Sequence, residues 1–541
     1  MAVLCFSGLP GELQIGILSK LDARSILACR QTSTALAQTI DNAIEIQYKL
    51  ELDRAGMIDG PPGTTSVRDR LNALKAYRAA WVAGKHPVHI LMIDVDLSDP
   101  RLFHVLPRGY HIEQATGNLK FYRPAGSVSG LTERNDVFAG MFEEIAAHRP
   151  VYLFTISHSE DLLAYACGTF YDPSSGDAHA ECGFASLSRN YQAHPLATRP
   201  TLRTCHPLEG NSSRSDIRCS GDLVQWRVCY WASRPAELIV VNWKTGIIVW
   251  HMHITSDQRY TQFQVISPTQ VIVIDEGDKF SLCLHSFDPS ASDDAPLAKE
   301  SDCLYTLALP TRSHEVHEHW LRFAFEPQQI FTDDHPLFSH DPALSLLALT
   351  FMHWFLDMSV ECFLLLIPLE TLLRFDTEGA ESFRGRTIPW EDWGPEGTKM
   401  LQIQIREHTP QDVSVLGCRV ALPNWRHIVE GEEMQCLVTV FEVHKLANEP
   451  LLTNTEAANK SSENCDDPGQ DAFAAASRLV ATDDEWITDS RAWTDPIRTT
   501  YPFRKTYRTI PLSEVPHRQY WNTAVHLTAD GLMLLIQERS V

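Results

Sequence analysis

The chain has 541 residues, of which 44% are apolar and 21% are charged, and its formal net charge is −23 at pH 7. This length predicts two or more folded units with ample apolar material for their cores, which argues against a wholly disordered chain. The acidic balance argues against a binder of nucleic-acid phosphates, because that affinity depends on clustered Lys and Arg.

Apolar residues near the start of the chain recur at helical spacing. The pattern opens with Leu9 and Pro10, and Pro suits the first turn of a helix. The stripe that follows consists of Leu13, Ile17, Leu18 and Leu21. A break at 22–25 precedes a second helix beginning at Ile26, and a third is predicted from about residue 34 to 53. Three such helices cannot bury much surface alone, so we expect a partner to complete the module.

A turn-forming cluster and a further helix come next. Residues 60–63 read Gly-Pro-Pro-Gly, and 66–69 resemble a capping box that opens a helix. Its apolar positions are Val67, Leu71, Leu74 and Trp81. Gly84 is placed to end it. The expected parts are a helical module at 1–55, a linker and connector helix at 56–87, and a β region at 88–541.

After residue 86 the apolar pattern changes to period two, which predicts strands separated by turns. Residues 238–243 and 247–250 form one predicted hairpin around a Lys-Thr-Gly turn, and 271–284 form another. Residues 437–443 alternate as a further strand. The β region is therefore expected to be all-β.

A phrase in which Ser or Thr and a turn precede a paired apolar strand recurs in this region. Its four copies lie at 154–164, 263–274, 338–349 and 526–536. Their spacing is irregular, which indicates a degenerate repeat. Polar insertions at 286–302 and 454–470 are expected to be exposed loops that account for the irregularity.

Residues 9–36 resemble an F-box. The matching positions are Leu9-Pro10, Glu12-Leu13, Ile17-Leu18, Leu21, Asp22, Ser25-Ile26-Leu27 and Arg30. Thr32-Ser33 and Leu36 depart from the family, where Val-Cys and an aromatic residue are common. The resemblance implies docking to the Skp-family adaptor of a cullin-RING ubiquitin ligase. The implied adaptor-binding residues are Leu9, Pro10, Leu13, Ile17, Leu18, Leu21, Ile26 and Leu27. An ordinary helical cap on the β domain is the alternative.

The β region is similar to WD-repeat and related propellers. Residues 241–246 resemble the end of one propeller strand, its turn and the start of the next. The regular Gly-His and Trp-Asp signatures are missing, and stacked sandwiches would also suit the pattern. The expected fold class is α + β multidomain: a small three-helix F-box, a helical connector and a large all-β C-terminal domain of the propeller type.

The sequence offers little that predicts catalysis or metal binding. The 13 cysteines include no Cys-x-x-Cys pair, and the histidine-dense stretch 314–319 lacks the spacing of a metalloprotease. The loop 60–66 lacks the Lys of a phosphate-binding loop. We expect no enzyme activity, no metal and no cofactor.

The apolar stretch 343–373 is interrupted by charged residues, and the N-terminus lacks the features of a signal peptide. We therefore expect no membrane role, and residence in the cytoplasm, the nucleus or both.

These observations and the resemblance together predict a substrate-recognition adaptor of an SCF-type ligase. Its F-box would dock the adaptor, and its β domain would hold a target protein that the sequence does not identify. Two alternatives remain open. One is an F-box scaffold that does not promote degradation, and the other is a propeller enzyme with a helical N-terminal cap.

Overall fold

Most helices lie at the start of the chain, and strands predominate in the rest of the residues that a computed structural model describes. The structure describes residues 6–93, 103–106, 110–115, 118–123, 134–138, 151–157, 159–171, 178–189, 191–204, 213–230, 236–254, 262–276, 279–298, 302–325, 336–377, 383–403, 413–426, 435–445, 485–511 and 523–537. The helices in these residues are α1 Gly11–Leu18, α2 Ala23–Thr32, α3 Thr34–Asn42, α4 Ile44–Ala55, α5 Val67–Val82, α6 Leu369–Thr377 and α7 Trp390–Gly397. None of the described helices is long and apolar enough to span a membrane.

The predicted third helix is two helices. Ala43 interrupts it with an extended backbone, φ −83° and ψ 108°, between α3 and α4. The helix after the break, α4, packs in two directions: its Ile46 and Leu50 join Ile40 in the core of the N-terminal module, whereas its Leu52 packs on the β region. The expectation of one continuous helix from about residue 34 to 53 was therefore wrong, because α3 ends at Asn42 and α4 begins at Ile44.

The connector helix α5 begins and ends as the sequence predicts. The Ser66 hydroxyl accepts a hydrogen bond from the Asp69 amide at 3.2 Å, and donates to the Asp69 carboxylate at 2.6 Å. Gly84 follows the helix with φ +61°, a left-handed conformation that favours glycine. Leu74 and Trp81 are buried on its inner side.

After α5, the described chain consists mainly of strands, with α6 and α7 between them. Two short ribbons pair Met57–Asp59 with Phe338–His340, and Glu485–Ile487 with Ile497–Thr499. The strands are β1 Met57–Asp59, β2 Val88–Ile93, β3 Phe103–Leu106, β4 Tyr110–Ala115, β5 Asn118–Arg123, β6 Arg134–Phe138, β7 Val151–Ser157, β8 Leu162–Tyr171, β9 Ala178–Ser186, β10 Thr201–Arg203, β11 Ser213–Ser220, β12 Leu223–Tyr230, β13 Ala236–Asn242, β14 Ile247–Ile254, β15 Phe263–Ser267, β16 Gln270–Asp275, β17 Ser281–Ser286, β18 Tyr305–Ala308, β19 Val316–Ala324, β20 Phe338–His340, β21 Leu346–Phe355, β22 Val360–Pro368, β23 Arg386–Ile388, β24 Lys399–Ile403, β25 Ser414–Leu416, β26 Arg419–Arg426, β27 Gln435–Val443, β28 Glu485–Ile487, β29 Ile497–Thr499, β30 Phe503–Pro511, β31 Thr523–Leu527 and β32 Leu532–Gln537.

The larger sheets of the described residues follow one another along the chain as antiparallel meanders. In order they are sheet 1 (β3 to β6), sheet 2 (β7 to β10), sheet 3 (β11 to β14), sheet 4 (β15 to β18, with β23 added in parallel), sheet 5 (β19, β21, β22, β24), sheet 6 (β25, β26, β27, β30) and sheet 7 (β31, β32, with β2 added in parallel). The predicted hairpins at 238–250 and 271–284 lie in sheets 3 and 4.

Successive sheets bury their apolar faces against each other. Residues that share a core across neighbouring sheets are Ala164 with Trp226 (sheets 2 and 3), Val240 with Val271 (3 and 4), Leu282 with Leu349 (4 and 5), Leu364 with Val420 (5 and 6), and Val438 with Leu534 (6 and 7). The first strand of one sheet also contacts the first strand of the next sheet: β3 contacts β7, β7 contacts β11, and β25 contacts β31. Consecutive meanders that pack in chain order, with strands from both ends of the region in one sheet, form a β-propeller. The predicted fold class is confirmed.

The predicted repeat matches the sheets at three of its four copies. The copies at 154–164, 263–274 and 526–536 form the first hairpins of sheets 2, 4 and 7. The copy at 338–349 does not, because β20 pairs with β1, the short strand that follows α4. The predicted loop at 454–470 lies outside the described residues.

Candidate functional site

The N-terminal helices enclose a small apolar core. Its buried members are Leu18, Ala23, Ile26, Ile40, Ala43, Ile46 and Leu50. Leu18 and Ile26, two of the predicted adaptor-binding residues, thus lie inside the module. Their side chains turn inward because α1 and α2 pack on α3. In this structure they stabilise the module and present no surface. The predicted residues Leu9, Leu21 and Leu27 are half-buried.

The outer side of α1 carries two exposed apolar residues. Leu13 is 55% exposed and Ile17 is 46% exposed. They are four positions apart and so lie one helical turn from each other on the same face. Pro10, also exposed, precedes the helix, and the Gln14 side-chain amide donates to the Leu9 carbonyl at 2.8 Å. A helix face of this kind is suited to docking on a partner.

Polar contacts hold these helices in place. The Asp22 carboxylate caps α2 by accepting from the Ser25 amide at 2.9 Å, and this bond lowers the pKa of Asp22. Arg30 donates twice to Asp41, at 2.8 and 3.0 Å, and ties α2 to α3. Ser33, a departure from the family pattern, caps α3 with its hydroxyl. The departure therefore has a structural role, since it starts the third helix.

Comparison with known families decides what this module is. The family model for the F-box domain matches residues 6–45. The chain carries an F-box domain. F-box domains in general bind Skp-family adaptors of cullin-RING ligases, and the exposed face of α1 lies within the matched residues.

Comparisons with curated proteins and with solved structures do not extend this assignment beyond the F-box domain. No curated protein matches the chain. Among solved structures, the chain is similar to the WD40 domain of SCAP from fission yeast, with 7% identity, a TM-score of 0.27, and coverage of 63% of this chain and 71% of that one. The propeller assignment rests on the order of the sheets and not on this likeness.

The F-box domain is joined to the propeller through α4 and α5. Tyr48 and Leu52 of α4, with Tyr77 and Trp81 of α5, share one apolar core with sheets 6 and 7. The Tyr77 hydroxyl donates to the Ala529 carbonyl at 3.0 Å. Burial raises the pKa of Tyr77 to about 12, so this hydroxyl keeps its proton at neutral pH. The two helices are therefore part of the β domain's packing.

A buried ionic network crosses the same interface. Arg419 of β26 donates to the Tyr77 hydroxyl of α5 and, at 3.2 Å, to the Glu442 carboxylate of β27. Arg504 of β30 also binds Glu442. Burial and the nearby charges of Arg78 and Arg419 lower the pKa of Arg504 to about 9. Charges buried in this way hold a fixed geometry, because moving one partner leaves the other uncompensated.

Three residues of this region have side chains of the types that bind metal ions. Cys418, Glu442 and His444 are buried and bring one potential ligand atom each within 4.8 Å of one another. Burial, followed by the charges of Arg419 and Arg78, lowers the pKa of His444 to about 3, so its imidazole is neutral at pH 7. However, the carboxylate of Glu442 already binds two guanidinium groups, which would repel a divalent cation. The arrangement fits an ion-pair network better than a metal centre.

The histidine-dense stretch at 314–319 does not converge on a common point among the described side chains. His317 is exposed, whereas His319 is half-buried. The His319 ring lies 2.6 Å from an Arg312 nitrogen and 3.7 Å from the Glu276 carboxylate. This ring is therefore engaged in structural contacts.

Sequence reasoning missed the ionic network at the interface. Arg419 and Tyr77 are 342 residues apart in the chain, so no spacing rule connects them. The only signal was the charge of Arg419 beside Cys418 at the start of an apolar strand. A buried Arg in such a strand requires a partner, but the sequence does not say which one.

Proposed function

We propose that this protein is a substrate-recognition adaptor of an SCF-type cullin-RING ubiquitin ligase. The observation that carries the proposal is an F-box domain at residues 6–45 whose α1 exposes Leu13 and Ile17. In this role the F-box docks the Skp-family adaptor and the propeller holds a target protein. Tethering would raise the local concentration of the target at the ubiquitin-carrying enzyme.

The contacts of α4 and α5 support this division of roles. A target held by the propeller can be ubiquitinated only if it stays within reach of the ligase. The shared apolar core and the buried network of Arg419, Glu442 and Arg504 oppose independent motion of the two parts. We propose that the protein acts by positioning and not by catalysis, and that it works in the cytoplasm, the nucleus or both.

The test is affinity purification with mass spectrometry from cells expressing either the full chain or the Leu13→Lys/Ile17→Lys variant. We expect the full chain to recover the adaptor, the cullin and at least one further partner. The variant should lose the adaptor and cullin and keep the further partner, whose level should rise when the proteasome is inhibited. Equal recovery of the adaptor by both chains would contradict the proposal.

A further inference from the structure

The turn between β21 and β22, residues 355–360, exposes three large apolar side chains to solvent. Leu356 is 80% exposed and Met358 is 82% exposed, the highest values among the large apolar side chains of the described residues. Val360, next on the same turn, is 43% exposed. Single exposed apolar residues are common, but three within five positions form a patch that points to a binding role.

The backbone of this turn is strained and closely held. Met358 has φ +62°, a conformation that non-glycine residues rarely adopt. The Met358 amide donates to the Phe355 carbonyl, and the Phe355 amide donates to the Ser359 carbonyl, each at 3.0 Å. Asp357 accepts from the Ser359 amide at 3.1 Å. Strain that the surroundings maintain at an exposed site is typical of functional positions.

Arg491, from a distant part of the chain, contacts the turn and holds it in place. Its guanidinium donates to Asp357 at 2.8 Å and to Glu315 at 3.0 Å, and it lies 4.4 Å from the ring centre of Phe355. Bonds from Ser359 and Arg491 hold the pKa of Asp357 well below its usual range, so this carboxylate stays ionised. The apolar side chains are thus displayed on a preorganised backbone, which reduces the entropy lost on binding.

The turn lies at the far end of sheet 5 from the F-box attachment. The Asp341 amide donates to the carbonyl of Gly56, which follows α4, at 3.0 Å, and β21 starts a few residues later at Leu346. β21 then runs for 10 residues before it reaches the turn. A strand of this length spans about 30 Å. A target bound at the turn would therefore not collide with the helices that join the F-box.

The charges around the turn favour a basic partner. Glu315, Glu318 and Asp357 are exposed at this end of sheet 5, and Glu361 lies beside them, bound by the amides of residues 491 and 492. Arg491 forms ion pairs with Glu315 and Asp357, and its single positive charge compensates one of the negative charges. The remaining negative charge complements Lys and Arg at the rim of a partner.

We propose that residues 355–360 form a target-docking turn, and that its occupant is a segment of the target protein with an apolar surface flanked by Lys or Arg. This inference rests on the proposed function and names the surface and the partner chemistry that would serve it. Leu356 and Met358 are the central contacts, and the acidic rim orients the basic residues. Such central apolar anchors carry most of the energy of an interface.

The test selects peptides from a phage-displayed library of random peptides on the immobilised full chain. Selected peptides are then measured against the Leu356→Ser/Met358→Gly variant and a Leu196→Ser control, since Leu196 is also exposed, at 58%. We expect sequences enriched in apolar residues with Lys or Arg. They should bind the turn variant at least about tenfold more weakly and the control variant unchanged. Because glycine relieves the positive φ, the turn variant should melt no lower than wild type.

Three outcomes would overturn the inference: no peptide sensitive to the turn variant, selected peptides rich in Asp and Glu, or a concentration-dependent dimer of the full chain that the turn variant abolishes. The last would make a second copy of the chain the occupant. Adaptor affinity of both variants is measured in parallel. Loss of peptide binding with intact adaptor binding concerns the turn alone, whereas a full chain that does not bind the adaptor contradicts the proposed function.

Discussion

At the scale of single residues, the predicted adaptor-binding residues include two groups that the sequence alone does not separate. Leu13 and Ile17 are exposed, whereas Leu18 and Ile26 are buried against α3 and α4. Helical spacing predicts which residues share a stripe, and the family resemblance adds a shared role. The apolar stripe is wider than the exposed face, because a helix in a small bundle packs part of its apolar side against the other helices.

Leu13→Lys is predicted to weaken binding to the Skp-family adaptor by about thirtyfold, or ~2 kcal/mol, because it replaces an exposed apolar anchor with a charge. Biolayer interferometry with the purified adaptor measures this change. Leu196→Lys, an exposed leucine outside the F-box domain, serves as the control and should bind as wild type does. A folded Leu13→Lys protein with wild-type affinity would show that α1 does not face the adaptor.

His353 should make stability depend on pH. It is buried among Phe351, Phe363 and Trp493, and burial, followed by the charges of His319 and Arg312, lowers its pKa to about 3. An unfolded histidine has a pKa of about 6.5. The unfolded state therefore binds the proton first, so stability is fully present above about pH 6.5 and is lost as the pH falls toward about 3.

The substitution His353→Phe removes this contribution. Between about pH 7.5 and about pH 5.5, the variant should lose about 1.4 kcal/mol less unfolding free energy than wild type loses. Urea unfolding at the two pH values provides the measurement. Equal losses in the two proteins would show that His353 does not titrate as its burial requires.

At the scale of elements, local patterns predicted most helices and strands but not how they are joined. The cap of α5 and the hairpins of sheets 3 and 4 follow from residues close in sequence. The break at Ala43 does not, because alanine favours helices and the apolar spacing continues through it. The helix after the break, α4, packs on both the F-box core and the β domain, and the second of these partners lies hundreds of positions away in the chain.

Glu442→Gln is predicted to reduce the unfolding free energy by about 3–5 kcal/mol, because Arg419 and Arg504 would keep their buried charges without the carboxylate. Chemical denaturation measures the loss. Asp41→Asn removes one partner of the more exposed Arg30 pair and should change the free energy by less than about 1 kcal/mol. If both substitutions have the same small effect, the buried network does not fasten α5 to sheet 6.

At the scale of the whole molecule, period-two patterning predicted an all-β domain, and the structure shows how its strands are grouped into sheets. Sheet membership could not be predicted from the sequence because the regular repeat signatures are missing. The strand β20 shows the difficulty, since it has the local phrase of a first hairpin and yet pairs with β1. Pairing between distant strands depends on which edges remain free, and this information is not local.

The position of α4 changes where the chain should be divided. A chain lacking residues 1–55 would lose Tyr48 and Leu52 from the core shared with sheets 6 and 7, and Glu51, which binds Arg78 at 3.3 Å. We predict that it melts at least about 5 °C below a chain lacking residues 1–42. Differential scanning calorimetry of the two chains checks this. Neither should bind the adaptor, and matching melting temperatures would show that α4 contributes nothing to the β domain.

Because β2 pairs in parallel with β32, sheet 7 joins an early strand of the chain to a late one. The F-box residues leave the ribosome first, whereas sheet 7 lacks β32 until residues 532–537 have emerged. For most of translation, the nascent chain therefore carries a complete F-box beside an open ring with unpaired strand edges. A message with an early stop codon would give a product that keeps the F-box domain and lacks a complete β domain. Under the proposed function, we expect such a product to occupy ligase adaptors without delivering a target, and so to act as a dominant inhibitor.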